Sequence, residues 1–163
     1  MSKIQFPIAR PGLMPQAQVG RVVGIVVRPG RGADVREVSV WDPSGDDDHG
    51  RVRGKRAVTL FQHEHIAVIE ALTGRPFAWS QARRNVLVTG INLLSLVGQR
   101  FSIGGAHFEG TCLVDPCFKI EQQMGADTYG AMMGHGGVGA KILHGEELNV
   151  GDPVRWLGPI DQA

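Results

Sequence analysis

The sequence contains very little cysteine: only Cys112 and Cys117 occur among its 163 residues. They are too far apart for a Cys-x-x-Cys pair, and no second pair exists from which a structural zinc site could be built. Two thiols are also too few for an iron–sulfur cluster, which usually takes four thiolates. Free thiols are therefore the expected state, and any redox reaction would need electrons from a separate protein.

Long hydrophobic runs and a large excess of charge are also absent. No apolar run approaches the roughly 20 residues that a membrane-spanning helix needs, and the first residues lack the apolar segment of a signal peptide. Seventeen basic residues against sixteen acidic ones give a net charge of +1, which argues against a strongly basic nucleic-acid-binding protein. We expect a cytoplasmic protein with no membrane partner and no nucleic-acid partner.

Two common sequence signatures are missing as well. The Gly-x-Ser-x-Gly elbow of many hydrolases does not occur. The glycine-rich segment 134–139 precedes a predicted strand instead of opening a helix, which is the wrong context for a dinucleotide-binding loop. Strands and helices do not alternate regularly, and this argues against a doubly wound parallel sheet.

What the sequence does contain is turn residues and short β-branched runs. Its 23 glycines and 9 prolines favour short strands over long helices. We predict an irregular N-terminal arm over residues 1–19 and a single domain over 20–163. The predicted strands cover 20–27, 35–41, 57–61, 85–89, 100–103, 106–110, 138–143 and 147–150, and the segment 152–156 follows them. Hairpins are expected at Gly104-Gly105 and at His144-Gly145. The predicted fold class is β-rich α+β, a barrel of short, mostly antiparallel strands with a few helices.

The predicted helices are few. The strongest covers 63–73, where Ile66, Ile69 and Leu72 recur every three residues and Gly74 stands at the position of a C-terminal cap. Shorter helical segments are expected at 93–97 and 118–124. Residues 125–139 are predicted to be a flexible glycine-rich loop that borders the functional site as a lid.

Cys117 is the first candidate functional residue. It follows Pro116, which withholds a backbone N–H and favours the end of a strand there. A helix starting at Phe118 would favour its thiolate, a soft metal ligand and a sulfur nucleophile. From the pattern alone, an inert buried thiol is about as good an interpretation. Cys112 lies inside a strand-like run and is expected to be structural.

A second candidate is the cationic segment Arg83-Arg84-Asn85. Guanidinium groups match the oxygens of phosphate and carboxylate. Neighbouring side chains of an extended segment point to opposite faces, so one arginine could contact a ligand while the other contacts solvent or a carboxylate. A solvated pair of charges is the alternative. Together with Cys117, the segment suggests a ligand with a soft-metal or sulfur end and an anionic end.

A third candidate is His49, which follows the acidic run Asp46-Asp47-Asp48. Histidine and aspartate together suggest a hard-metal site. An acidic run in a loop is more often simply solvated, so both interpretations stay open.

Taken in order, these segments resemble the MOSC domain, named for the C-terminal domain of molybdenum-cofactor sulfurase. The Arg-Arg-Asn block and the Asp-Pro-Cys block carry most of the resemblance, which extends over roughly residues 20–157. The similar blocks are residues 45–50 and 55–60, 82–91, 98–104, 109–117 and 136–154.

The resemblance implies a barrel-like fold and a molybdenum cofactor, a pyranopterin, bound by the chain. Cys117 would be the metal ligand and the catalytic residue, or would carry sulfur as a persulfide. Arg83 and Asn85 would hold the pterin or its phosphate. Further cofactor contacts are expected from Arg84, Arg56, Thr59 and His49. Characterised members reduce N-hydroxylated compounds with electrons from a separate redox protein. The alternative is a non-redox carrier of sulfur or cofactor that uses Cys117.

Overall fold

The computed structural model describes residues 18–30, 32–45 and 54–160. His49 and the acidic run before it lie outside these ranges. The strands are β1 (Val19–Val27), β2 (Arg36–Val38), β3 (Val40–Trp41), β4 (Val58–Gln62), β5 (Val86–Thr89), β6 (Gln99–Ile103), β7 (Ala106–Leu113), β8 (Val138–His144), β9 (Leu148–Asn149) and β10 (Pro153–Pro159). The helices are α1 (Glu64–Thr73), α2 (Lys119–Met124) and α3 (Thr128–Met132), with 3-10 turns at Trp79–Ala82 and Leu93–Leu96.

The main sheet closes into a barrel. Its strand order is β10-β6-β7-β8-β4-β5-β1-β2, and β1 also pairs antiparallel with β10, with Val19 opposite Arg155. The ladders are antiparallel except for the parallel pair β4–β5. Because closure pairs strands that would otherwise be edges, it leaves fewer backbone groups without partners. The prediction of a β-rich, barrel-like fold is confirmed.

Two hydrophobic clusters stabilise this arrangement, and strand β4 contributes to both. Successive side chains of a strand point to opposite faces. Leu60 accordingly packs inside the barrel with Phe101 and Phe108, whereas the next residue, Phe61, packs outside it beneath the helices with Ile69. Helices α1, α2 and α3 therefore cover one side of the barrel wall.

The predicted helix is confirmed by α1, but only part of its predicted apolar face is buried. Ile69 is fully buried and Ile66 is partly buried, whereas Leu72 is 63% exposed. A three-residue step falls about 60° short of a full turn, so the third member of the series has rotated out of the contact. Gly74 ends the helix as predicted, with φ of 68° and its N–H donated to the Glu70 carbonyl.

We expect the two apolar side chains of this helix to differ in their effect on stability. Ile69→Ala should lower the free energy of unfolding by about 2–5 kcal/mol, because it leaves a cavity in the outer cluster. Leu72→Ala should change it by less than about 0.5 kcal/mol, because the side chain is mostly in water already. Urea unfolding of both variants measures the difference, and similar losses would contradict the packing described.

Three sequence predictions about strands and loops are wrong. The predicted strand 35–41 is broken at Ser39 into β2, which pairs with β1, and β3, which pairs with β9. The predicted hairpin at His144-Gly145 does not form: β8 pairs with β7 and, at Val138–Ala140, with β4, whereas β9 pairs with β3. The predicted loop 125–139 contains helix α3, whose Ala131 and Met132 are buried in the outer cluster.

Two predicted features of the remaining chain are confirmed. The hairpin of β6 and β7 turns at Gly104-Gly105, with Ile103 opposite Ala106. The short helical segments follow the prediction closely, at Leu93–Leu96 and Lys119–Met124. Within the described ranges, no helix is long and apolar enough to cross a bilayer.

Candidate functional site

A cleft of about 700 Å³ opens beside the ends of β1, β4 and β5. This volume is in the range of small-molecule sites. The described side chains that line it include five cationic ones and no carboxylate. The cationic residues are Arg28, Lys55, Arg56, Arg83 and Arg84. Such a lining favours an anionic ligand, because guanidinium and ammonium groups donate charge-assisted hydrogen bonds to its oxygens.

A smaller cavity of about 240 Å³ adjoins the cleft and contains Cys117. The two share the side chains of Arg56, Arg83, Arg84 and Val114 as a common wall. A ligand that extends across this wall would contact cations at one end and the thiol at the other. The structure thus brings Arg56, Thr59, Arg83, Arg84, Asn85 and Cys117 into one connected region.

Cys117 lies at an element boundary, as predicted. Strand β7 ends at Leu113, Pro116 is buried, and α2 begins at Lys119. The Ile120 N–H donates to the Cys117 carbonyl at 2.9 Å, which holds the backbone of the thiol residue in the first turn of the helix. Cys117 is exposed and is not paired with Cys112. The interpretation as an inert buried thiol is therefore excluded for Cys117.

Arg83 carries a free cationic group at the common wall. It ends the 3-10 turn Trp79–Ala82 in the left-handed conformation, with φ of 58°, which is uncommon for a residue with a side chain. The residue is exposed, and no hydrogen bond or ion pair of its guanidinium is found in the part of the chain that the structure describes. Its donors are available to a ligand in either cavity.

Arg84 differs from its neighbour because each of its three guanidinium nitrogens already donates to a backbone carbonyl. Its Nε donates to the Gly136 carbonyl at 2.7 Å, its Nη1 to the Ala82 carbonyl at 2.8 Å and its Nη2 to the Asp115 carbonyl at 3.4 Å. Burial lowers the pKa of Arg84 to about 10, and nearby Arg56 adds to the lowering, whereas Cys117 and Asp115 act in the opposite direction. The two adjacent arginines thus have different surroundings.

Asn85 and Thr59 form a fixed pair across β4 and the start of β5. The Asn85 Oδ1 accepts from the Thr59 backbone N–H at 3.1 Å and from its hydroxyl at 3.0 Å. The Thr59 Oγ1 accepts in turn from the Asn85 backbone N–H at 3.1 Å. Since a backbone N–H can only donate, the side-chain atom facing it must be oxygen. The Asn85 amide N–H groups are therefore left for other acceptors, and the residue lines the cleft.

Arg56 connects the second thiol to the same region. Its Nε donates to the Cys112 Sγ at 3.4 Å, and Cys112 is half-buried in β7. Cys112 thus orients a cationic side chain of the common wall. Sequence reasoning missed this contact, and it also missed Lys55 and Arg28 as lining residues. The available sequence signal for Lys55 was its position next to Arg56, in the block 55–60 that resembles the MOSC domain.

The donor set at the thiol limits which metals could bind there. Among the described residues, no group of three histidine, cysteine, aspartate or glutamate side chains could hold a metal ion. A bare ion usually needs three or more such protein ligands. One exposed thiol beside a cationic cleft fits a metal that arrives with an anionic organic ligand of its own.

Comparisons with known proteins agree with the fold. The sequence matches the MOSC domain over residues 42–155. The crystal structure of the YUAD protein from Bacillus subtilis is similar, with a TM-score of 0.72 and 17% identity over 83% of this chain and 94% of that one. YiiM from Geobacillus stearothermophilus has a TM-score of 0.70 and 19% identity over 85% and 75%.

YiiM from Escherichia coli is a third similar structure, with a TM-score of 0.64 and 16% identity over 88% of this chain and 72% of that chain. At these identities the structural likeness speaks for the fold alone. Among curated proteins, none matches the sequence. The match over residues 42–155, the closed barrel and the order of the blocks lead to one conclusion: this chain belongs to the MOSC domain family, which is associated with the molybdenum cofactor.

Proposed function

We propose that this protein binds the molybdenum cofactor in the cationic cleft and reduces N-hydroxylated compounds with electrons from a separate redox protein. The observation that carries the proposal is the common wall. It joins a cationic cleft to a cavity with an exposed thiol, and a ligand that combines a soft metal with a phosphate needs both.

The residues present fit such a group at each end. Arg83, Lys55 and Arg56 would bind its phosphate, and the free amide N–H groups of Asn85 would donate to its pterin. Cys117 would be the metal ligand. When bound, the cofactor would supply two-electron redox chemistry.

The chain's own residues would have simpler tasks. Cys117 must lose its proton to bind a metal, and because the thiol is exposed, water can take that proton directly. Thr59 keeps the Asn85 side chain in one orientation through the hydrogen bonds described above. The overall reaction converts an N–OH group to N–H and water, and it consumes two electrons and two protons. The electrons come from the external donor and the protons from solvent.

A second candidate function is a carrier of sulfur or of the cofactor itself. The exposure of Cys117 favours it, because a persulfide or ligand held at an exposed thiol can be passed directly to a partner protein. In this case Cys117 would hold transferable sulfur, and the protein would catalyse no reduction.

Elemental analysis of freshly purified protein tests the proposal. We expect molybdenum in the protein and, with reduced viologen as electron donor, conversion of an N-hydroxylated base or an amidoxime to the corresponding N–H compound. Molybdenum without turnover on several such substrates would favour the carrier, as would sulfur released by cyanide. Neither molybdenum nor cyanide-releasable sulfur after expression in a cofactor-producing host would contradict both functions.

A further inference from the structure

The segment that presents Cys117 leaves the barrel where its sheet ladder stops. The last paired residues of β7 and β8 are Leu113 and Val138. One more backbone hydrogen bond follows, from the Val114 N–H to the Gly137 carbonyl at 2.9 Å. Pro116 then has no N–H to donate, so the ladder cannot continue toward the thiol through the backbone.

Beyond this point, the Arg84 side chain connects the segment that follows β7 to the segment that precedes β8. Its Nε binds the Gly136 carbonyl and its Nη2 binds the Asp115 carbonyl, one from each of the diverging segments. Its Nη1 binds the Ala82 carbonyl and anchors the guanidinium to the 3-10 turn before it. Arg84 thus occupies the place of the next backbone rung, between Gly136 and Asp115, and Asp115 lies two residues before Cys117.

The close approach of the two segments is also built into the sequence. A Cβ atom at Gly136 would lie 2.1 Å from the Val114 carbonyl oxygen, so only glycine permits this spacing. The guanidinium is planar, and its donors point in fixed directions. A planar side chain with several donors can bind carbonyls from three segments at once, which a single ammonium group cannot do in the same geometry.

We propose that Arg84 is the positioning residue of the Cys117 segment, a role that the neighbouring Arg83 does not share. Arg84 holds Asp115 against Gly136, and thereby sets where the thiol stands relative to the cleft. The importance of this position for cofactor binding rests on the proposed function. The positioning itself is a property of the cofactor-free protein.

The test compares Arg84→Ala, Arg84→Lys and the matched neighbour Arg83→Ala, each in the Cys112→Ser background so that a single thiol reacts. Amide hydrogen exchange at Val114 and Ile120, whose N–H groups donate to the Gly137 and Cys117 carbonyls, reports the segment, and alkylation of Cys117 by iodoacetamide reports the thiol. Removing hydrogen bonds from a charged donor should speed exchange at these amides by roughly ten- to a hundredfold in Arg84→Ala. Exchange in Arg84→Lys should have an intermediate rate, and exchange in Arg83→Ala should match that of the Cys112→Ser protein.

Added guanidinium ion should slow exchange again and restore the alkylation rate in Arg84→Ala, because it can refill the space that the side chain leaves. Urea unfolding separates this local effect from general destabilisation. If Arg84→Ala does not fold, Arg84→Lys carries the same comparison. The proposal would be overturned if Arg84→Lys and Arg84→Ala had the same exchange and alkylation rates as the protein with Arg84 intact. It would also be overturned if Arg83→Ala accelerated amide exchange as much as Arg84→Ala does. Because no cofactor is present, these results stand whether or not the protein contains molybdenum.

Discussion

Cys117→Ser is expected to remove bound molybdenum, or cyanide-releasable sulfur, while leaving the fold intact. A serine hydroxyl is a hard, mostly protonated donor at neutral pH, whereas a thiolate is the soft ligand that such a metal takes. The side chain is exposed, so the substitution creates neither a cavity nor a buried unsatisfied polar group. Elemental analysis and urea unfolding of the purified variant measure both parts. The loaded wild-type protein should turn over N-hydroxylated substrates, and the variant should not.

Cys112→Ser is the matched control for this result. Its Sγ accepts a hydrogen bond from Arg56 and makes no contact with the smaller cavity among the described residues. A serine oxygen can accept the same bond, so most of the molybdenum or sulfur should stay bound. Equal losses from the two variants, or no loss from Cys117→Ser, would contradict the assignment of Cys117.

Arg83→Ala is expected to weaken cofactor binding by roughly ten- to a hundredfold. A hydrogen bond to a charged group is worth on the order of 1.5–3 kcal/mol, and each factor of ten corresponds to about 1.4 kcal/mol. Alanine also has a Cβ atom, so the conformational cost of the left-handed backbone is similar in both proteins. The loss therefore reports the guanidinium. Cofactor dissociation from loaded protein, monitored as release of molybdenum, measures the loss of affinity.

Arg83→Lys should restore only part of the affinity, because an ammonium cannot reproduce the two parallel bonds of a guanidinium fork. Arg155→Ala is a suitable control, since Arg155 is an exposed arginine on β10 outside both cavities. Unchanged cofactor affinity in Arg83→Ala would mean that this side chain is simply solvated and that the other cations of the cleft hold the anion.

Much of the fold could be predicted from the sequence because its signals are local. The β-branched run of β1, the hairpin at Gly104-Gly105 and the cap at Gly74 each depend on a few neighbouring residues. Pairing between distant strands has no such local signal. Strand β8 pairs with β7 and β4, and β9 pairs with β3. No local pattern indicates these partners, and this is why the predicted hairpin at His144 is wrong.

The candidate site shows the same division. Residue type and order in the sequence indicated which groups the candidate site would contain: a thiol after a proline, two adjacent guanidinium groups and an amide, in the order typical of the MOSC family. They also determined that α1 exists and where it ends. They did not distinguish Arg83 from Arg84, since two neighbouring arginines look alike until their surroundings are known.

Only the tertiary structure decided how these groups are arranged. It binds the half-buried Arg84 guanidinium to carbonyls from three segments and leaves the Arg83 guanidinium without a partner among the described residues at the common wall. It also brings Arg56 to Cys112, a residue 56 positions later in the chain. The physical reason is that hydrogen bonding and burial depend on distances between segments far apart in sequence, and those distances exist only once the barrel has closed.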